Sequence, residues 1–289
     1  MADSKNSKTA IEVGPVHFDV PQNGPILQNI GAECVFRVGA HLGEREIGHG
    51  SSFVLNHNKT KNGLQLWCLT NLHVVRRALD LYKIYCKLLR NGMPDREVAE
   101  MPAGLRVFVG DGTIPIESVI APKGEFFKPK HEQHLDFAIF SFTVPTNRQT
   151  RYFPMAQRTD IVAGSKAYAL GYPAAMNMSI TDGVLSRIYE DGDGDTERAA
   201  GAHIASFKWG IQHNILTNGG NSGGPTVDEF GRVVGIVTFG SDQYHGLEFS
   251  LNASKISDYI TDPENLEEIA IPAAIQKLCQ RAIESARYG

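Results

Sequence analysis

The chain is cut into short runs of β-branched and aromatic residues, each about the length of one strand. Clear cases are residues 34–38, 52–55, 64–70, 105–109, 136–142 and 233–239, set apart by Gly, Asn, Asp and Pro. Such residues suit a pleated, half-buried surface, and many short strands at this spacing build an all-β sandwich or barrel. A stretch with prolines at both ends, 144–154, divides the strand-rich region into two halves. Two segments break the pattern. Residues 74–89 carry Val75, Leu79, Ile84 and Leu88 at helical spacing, and 272–288 place Ile275, Leu278, Ala282 and Ile283 on one face. Both predict helices, the second amphipathic. Residues 1–27 are polar and hold Gly14, Pro15, Pro21, Gly24 and Pro25, which predicts an extended arm.

Composition narrows the classes of function. A length of 289 residues fits one large domain or two small ones sharing a core. With 42% hydrophobic and 21% charged residues the chain can bury a core, so it is not mainly disordered. A net charge of −4 gives no reason to expect a nucleic-acid partner. No apolar run is long enough to cross a membrane as a helix, and the polar first ten residues lack the apolar segment of a secretory signal. Cys34, Cys68, Cys86 and Cys279 have no metal-ligand spacing and read as reduced thiols, which predicts a cytoplasmic protein. Asp191, Asp193 and Asp195 have the opening spacing of a calcium loop, but Thr196 stands where that loop needs Gly and Ala202 where it needs Glu. The acidic run therefore reads as a solvated loop, and no metal or cofactor is expected.

The chemistry concentrates in residues 217–225, Thr-Asn-Gly-Gly-Asn-Ser-Gly-Gly-Pro. Glycines permit a tight turn with positive φ and close approach of a substrate backbone. Such a turn can present Ser222 Oγ to a cleft and aim the N–H groups of Gly220 and Ser222 at one point, as an oxyanion hole requires. Serine is a poor nucleophile at neutral pH without a base. His73, which closes one strand-like run and opens a predicted helix, is the candidate base. Asp136 starts a strongly apolar run, a costly place for a charge unless it is hydrogen-bonded. It is the candidate for holding the far nitrogen of His73.

With those residues in order, the chain resembles the trypsin-like, chymotrypsin-fold serine proteases, and within them the HtrA-like branch and related viral proteases. The resemblance is carried by 50–54 (Gly-Ser-Ser-Phe-Val), 70–75 (Thr-Asn-Leu-His-Val-Val), 135–139 (Leu-Asp-Phe-Ala-Ile), 170–173 (Leu-Gly-Tyr-Pro) and 181–186 (Thr-Asp-Gly-Val-Leu-Ser). It continues through 220–225 (Gly-Asn-Ser-Gly-Gly-Pro), 234–237 (Val-Gly-Ile-Val) and 246–250 (Gly-Leu-Glu-Phe-Ser). It implies an all-β fold of two six-stranded antiparallel β-barrels, with a short helix after the catalytic His and a helix at the C-terminus. The division would be an arm at 1–27, a first barrel at 28–150 with His73 and Asp136, a second at 151–262 with Ser222, and a helical tail at 263–289. The implied function is a serine endopeptidase acting on a polypeptide substrate through an acyl-enzyme, with the triad His73, Asp136 and Ser222. A catalytically silent peptide-binding module on the same fold is the alternative.

The departures from the family pattern carry information. Asn221 stands where digestive members have the Asp that pairs with a freed N-terminal amine, so activation by N-terminal cleavage is not expected. No cysteine follows His73 closely enough to form their disulfide beside the catalytic His. The residues after 262 are too few for the PDZ domain of HtrA proteins. This lean build fits a viral polyprotein-processing protease in the host cytoplasm as well as a cellular enzyme, and nothing in the sequence speaks to oligomeric state. The resemblance also places the substrate pocket. Its base falls near Leu216, and its walls come from Thr238, Phe239 and Gly240 and from the segment around Gly246. An open slot with an apolar floor predicts a large apolar side chain before the cut. Alternation along the strand sets Glu248 on the same side as Gly246, and an ionised carboxylate there would instead favour Lys or Arg.

Overall fold

In the computed structural model, residues 18, 20–128, 133, 135–145, 150–189, 209–240 and 246–288 are described. The acidic run at 190–197 with Ala202, and most of the arm up to residue 19, lie outside them. The predicted runs form strands, many of them buried on both faces. The first half carries β1 (Val35–Leu42), β2 (Arg45–Thr60), β3 (Gly63–Thr70), β4 (Ala103–Val109), β5 (Gly112–Ile116), β6 (Ser118–Pro122) and β7 (Ala138–Val144). The second carries β8 (Lys166–Gly171), β9 (Ser179–Ile188), β10 (Gly210–His213), β11 (Pro225–Asp228), β12 (Val233–Gly240) and β13 (Glu248–Asn252), and β14 (Leu266–Ala270) follows.

The second half closes as a six-stranded barrel in the order β10-β13-β12-β11-β8-β9. The first half is an eight-stranded sheet in the order β14-β6-β7-β3-β2-β1-β4-β5. Its strands β5, β4, β1, β2, β3 and β7 curl until β5 lies against β7, which gives the half-closed counterpart of the second barrel. The extension beyond β7 comes partly from the tail read as helical. Residues Leu266–Ala270 pair antiparallel with β6 in the register Ile269↔Val119, and Ile269 is buried. Glu267 and Glu268 lie along this outer strand, where charge discourages pairing with another chain.

Three helical segments refine the sequence reading. Residues Gly24–Cys34 form a helix that begins inside the expected arm. Asn23 Oδ1 accepts from the N–H of Ile26 and Pro25 sits in the first turn, two ordinary helix-start signals. Leu27, Ile30 and Cys34 are buried, and Gly31 rests on Leu170 of β8 so closely that a Cβ would fall 2.3 Å from Leu170 Cδ2. The helix expected over 74–89 is three pieces: a short α-turn at Leu72–Val75, a 3-10 turn at Arg76–Asp80, and a helix at Leu81–Arg90. The C-terminal helix Ile271–Tyr288 lies against Leu81–Arg90 and buries Ile275, Cys279 and Ala282.

The two halves share one apolar core that includes Phe36, Phe53, Phe137, Phe140, Phe153 and Phe249. Polar bonds cross the seam above it. Ser51 Oγ donates to Gly220 O (2.7 Å) and accepts from the N–H of Tyr172 (2.9 Å), and Tyr172 Oη donates to Val35 O (3.1 Å). Tyr259, on the helix Ala253–Ile260, packs edge-on against Phe137 of the first half and Trp209 of the second.

Candidate active site

His73 lies in the short turn Leu72–Val75 directly after β3, and Asp136 lies two residues before β7, between buried Leu135 and Phe137. Strands β3 and β7 are paired neighbours, with Thr70 opposite Ala138, so the two side chains leave the sheet side by side. Asp136 grips His73 twice: Oδ1 accepts from the His73 backbone N–H at 2.8 Å, and Oδ2 lies 2.6 Å from Nδ1. An ionised carboxylate only accepts, so Nδ1 carries a proton, and in the neutral ring the lone pair is on Nε2. Asn71 fixes the clamp from below. Its Nδ2 donates to Asp136 O at 2.9 Å and to Thr238 Oγ1 of the other half at 3.2 Å.

Ser222 is positioned by backbone rather than by side chains. Its carbonyl accepts from the N–H of Ser51 at 2.8 Å, and the N–H of Gly223 donates to Val237 O at 2.8 Å. Gly220 has φ +105° and Gly223 φ +88°. A Cβ on Gly223 would fall 2.1 Å from Ser51 O and 2.3 Å from Thr70 Oγ1, so only glycine lets the turn seat against the end of β3. Asn221 and Gly224 also spend their N–H groups within the turn, on Asn218 O and Asn221 O. The N–H groups of Gly220 and Ser222 have no acceptor among the described residues. Gly50 brings the nucleophile turn to the histidine turn: a Cβ there would lie 2.5 Å from Val74 Cγ2 and 2.9 Å from Ser222 O. Ser222 Oγ itself donates to Thr238 O at 3.2 Å, and among the described residues it shares no hydrogen bond with His73.

The residues assigned to the pocket separate. Leu216 is 64% exposed, so it supplies no buried apolar floor. Its carbonyl accepts from Thr181 Oγ1. Thr238 is buried and bonded as above, while Phe239 turns to the other face of β12 and stacks on Phe249 at 4.8 Å. Gly240 pairs with Glu248 across the ladder and is exposed. Gly246 opens the turn into β13 with φ +78°. The Glu248 carboxyl lies where a Gly240 side chain would be, 2.4 Å from an ideal Cβ, and Oε2 accepts from Thr217 Oγ1 at 2.5 Å. Burial pushes its pKa up, against the opposing effect of the Thr217 bonds.

Two histidines with no motif around them also matter here. The His49 ring abuts Gly220, with Cδ2 and Nε2 2.9 Å from an ideal Cβ, and its Nδ1 lies 3.3 Å from Glu46 Oε1. Glu46 in turn pairs with Arg37 at 3.1 Å. His213 is fully buried in the second barrel, its Nε2 2.9 Å from Ser250 Oγ, which is 2.7 Å from Thr226 Oγ1. Burial lowers its pKa to about 4. Only the fold shows His49 against Gly220 and His213 against Ser250, because these lie far apart in the chain.

The fold has known relatives. The family model described as a trypsin-like peptidase domain matches residues 50–236. The chain is 28% identical over 191 residues to Protease Do-like 1, chloroplastic, from Arabidopsis thaliana, covering 66% of this chain and 33% of that protein. It is 32% identical over 115 residues to a probable periplasmic serine endoprotease DegP-like from Chlamydia pneumoniae, covering 38% of this chain and 22% of that protein. The chain thus spans a third or less of the length of these curated relatives. The solved structure of the HtrA-type protease AlgW with tripeptide has the same fold, with TM-score 0.52, 18% identity, and coverage of 82% of this chain and 62% of that one. The viral setting finds no support in the plant and bacterial relatives, whose names place them in chloroplast and periplasm. Among the described residues no helix is long and apolar enough to cross a membrane. On the matched domain, its relatives and its barrels, the chain belongs to the trypsin-like peptidase family, in the HtrA branch.

Proposed function

We propose that the chain is a serine endopeptidase in which Ser222 is the nucleophile, His73 the general base and Asp136 the group that orients it. The observation that carries the reading is the double grip of Asp136 on the backbone N–H and Nδ1 of His73, beside a turn that leaves two N–H groups unspent. Ser222 Oγ turns about χ1 from Thr238 O toward His73 Nε2 and attacks the scissile carbonyl carbon. Its proton passes to Nε2, and the new negative charge on the carbonyl oxygen is met by the N–H groups of Gly220 and Ser222. Each such donor is worth on the order of 10²–10³ in turnover. His73 then gives the proton to the leaving amine, the C–N bond breaks, and an ester on Ser222 remains. Water attacks that ester by the same route in reverse and regenerates the serine.

The substrate class is a polypeptide, which the tripeptide in the AlgW structure supports by analogy. A silent peptide-binding module would keep the cleft without turnover. Two measurements decide between them: covalent labelling of Ser222 by a fluorophosphonate, and hydrolysis of a peptide library. Labelling and hydrolysis, both lost in Ser222→Ala, are expected; a folded wild-type protein that binds peptides and cleaves none would leave the module. We infer a cytoplasmic setting from Cys34, Cys68, Cys86 and Cys279, which are all free thiols.

A further inference from the structure

We infer that Glu248 makes this enzyme select a cationic side chain, Lys or Arg, at the residue immediately before the cut; the inference rests on the peptidase reading above. Two chain segments flank the nucleophile. One is the stretch leading into Ser222, which contains Thr217. The other is the edge of β12 from Thr238, whose carbonyl accepts from Ser222 Oγ, to Gly240. The Glu248 carboxylate bridges them, bonded to Thr217 on one side and lying against Gly240 on the other. Gly240 is two residues along β12 from Thr238, past a register irregularity between Val237 and Phe239, so the two lie at most roughly 7 Å apart along the strand. That is about the reach of an extended Lys or Arg side chain.

The charge around Glu248 is unbalanced. Among the described residues it has no cationic partner. Thr217, through its hydroxyl and its backbone N–H, fills two acceptor positions of a group that offers about four. His213 stands opposite Glu248 in the β10–β13 register, but its lowered pKa keeps it neutral. A buried carboxylate held this way is costly to ionise alone and gains most from an incoming cation that is also a hydrogen-bond donor. An apolar side chain would meet the same carboxylate and no apolar floor, since Leu216 faces solvent.

The test uses the whole chain and matched peptides that differ only in the residue before the cut. Arg and Lys peptides should exceed Leu and Phe peptides in kcat/KM on the order of 100-fold, the cost of leaving one buried polar group unsatisfied. Glu248→Gln should erase that ratio by lowering kcat/KM on the Arg and Lys peptides. Benzamidine, a cationic stand-in for the Arg head group, should compete with labelling in the wild type, a result that does not depend on the variant folding. A preference for Leu or Phe in the wild type, indifference to benzamidine, or a basic preference that survives Glu248→Gln would each overturn the inference while labelling still upholds the peptidase. Absence of labelling and of hydrolysis would remove the peptidase reading and this inference with it.

Discussion

The two β-sheets solve the same folding problem in opposite ways. In the second barrel every strand is paired on both sides, so there is no edge to protect. Its interior nevertheless holds polar groups: His213, Thr226 and Ser250 are fully buried and hydrogen-bonded in a row. The first sheet has an apolar interior dominated by Phe36, Phe53 and Phe140, but it ends in an open edge that the last segment of the chain covers with β14. The site inherits this division. The first sheet supplies side-chain chemistry, a carboxylate clamped on an imidazole. The second supplies backbone chemistry, a glycine turn whose shape fixes where Ser222 and two N–H groups point. Experiments that injure one half should leave the other's contribution measurable.

The largest effects should come from the two halves of the triad. Ser222→Ala removes the backbone-positioned nucleophile and should cut turnover on the order of 10⁶-fold, while Asp136→Asn, which favours the wrong histidine tautomer, should cut it on the order of 10⁴-fold. Neither should matter equally to stability. The Ser222 side chain makes one bond, to Thr238 O, so its variant should melt with the wild type. Asp136 holds a backbone N–H as well as a ring, so Asp136→Asn should unfold earlier in a thermal scan. A Ser222→Ala protein that retained appreciable hydrolysis would remove the division of labour altogether.

Next in size is the tail. Ending the chain after Asp262 removes β14 and the C-terminal helix, and with them the burial of Ile269, Ile271, Ile275, Cys279 and Ala282. At roughly 1.5–3 kcal/mol for each large side chain, an upper bound, the first half should lose several kcal/mol. Trp67 on β3 and Trp209 beside β10 report the two halves separately once the other is changed to Phe. The Trp67 signal should shift to lower denaturant while the Trp209 signal moves less. Equal shifts would mean that the shared core makes the halves one cooperative unit.

The polar interior of the second barrel should show itself in pH. His213 is neutral in the fold, with a pKa lowered to about 4 from 6.5 by burial, while the unfolded chain takes up the proton near 6.5. Between those values the unfolded state binds more protons, so stability rises with pH across the window and is lost as pH falls through it. The full effect is about 3 kcal/mol. Denaturant unfolding at pH 7 and pH 5, followed at Trp209, should show a drop in the wild type and a smaller one in His213→Gln. An identical drop in both would place the sensitivity elsewhere.

What the sequence made legible is what is local in the chain. The strand runs at 64–70, 105–109 and 233–239 became β3, β4 and β12 with small changes at their ends. The proposed catalytic residues stood out because the Gly-Asn-Ser-Gly-Gly-Pro string needs no partner to be read, and the structure brings His73 and Asp136 to hydrogen-bond distance. The helix at Gly24–Cys34 was signalled by Asn23 and Pro25, but among so many turn residues the signal read as loop. Residues 266–270 hold two glutamates and one buried position, too little alternation to show a strand whose existence depends on β6. Alternation put Glu248 on the pocket side, yet the outward turn of Leu216 and the stack of Phe239 on Phe249 are products of packing that no periodicity carries.

The smallest effect should be at the other end of the chain, and it tests whether the nucleophile turn is complete without help. In digestive relatives a carboxylate just before the nucleophile waits for a new N-terminal amine, and the turn becomes competent only when the two pair. Here that position is Asn221, buried and uncharged, with its own N–H already spent on Asn218 O. An amide offers a cationic amine no opposite charge, so trimming has nothing to switch on. The cut has to be chosen from the fold. Starting at Gln28 would remove Leu27, which is fully buried, and the Asn23 cap, and would injure the helix that docks on β8. Removal of residues 1–17 spares the helix and the bond from the N–H of Phe18 to Phe230 O. The trimmed protein should match the full chain within about twofold in kcat/KM and in fluorophosphonate labelling of Ser222, since Asn221 offers a new amine no opposite charge. A large gain on trimming would show that the first seventeen residues restrain the second barrel, and that its turn is not self-sufficient.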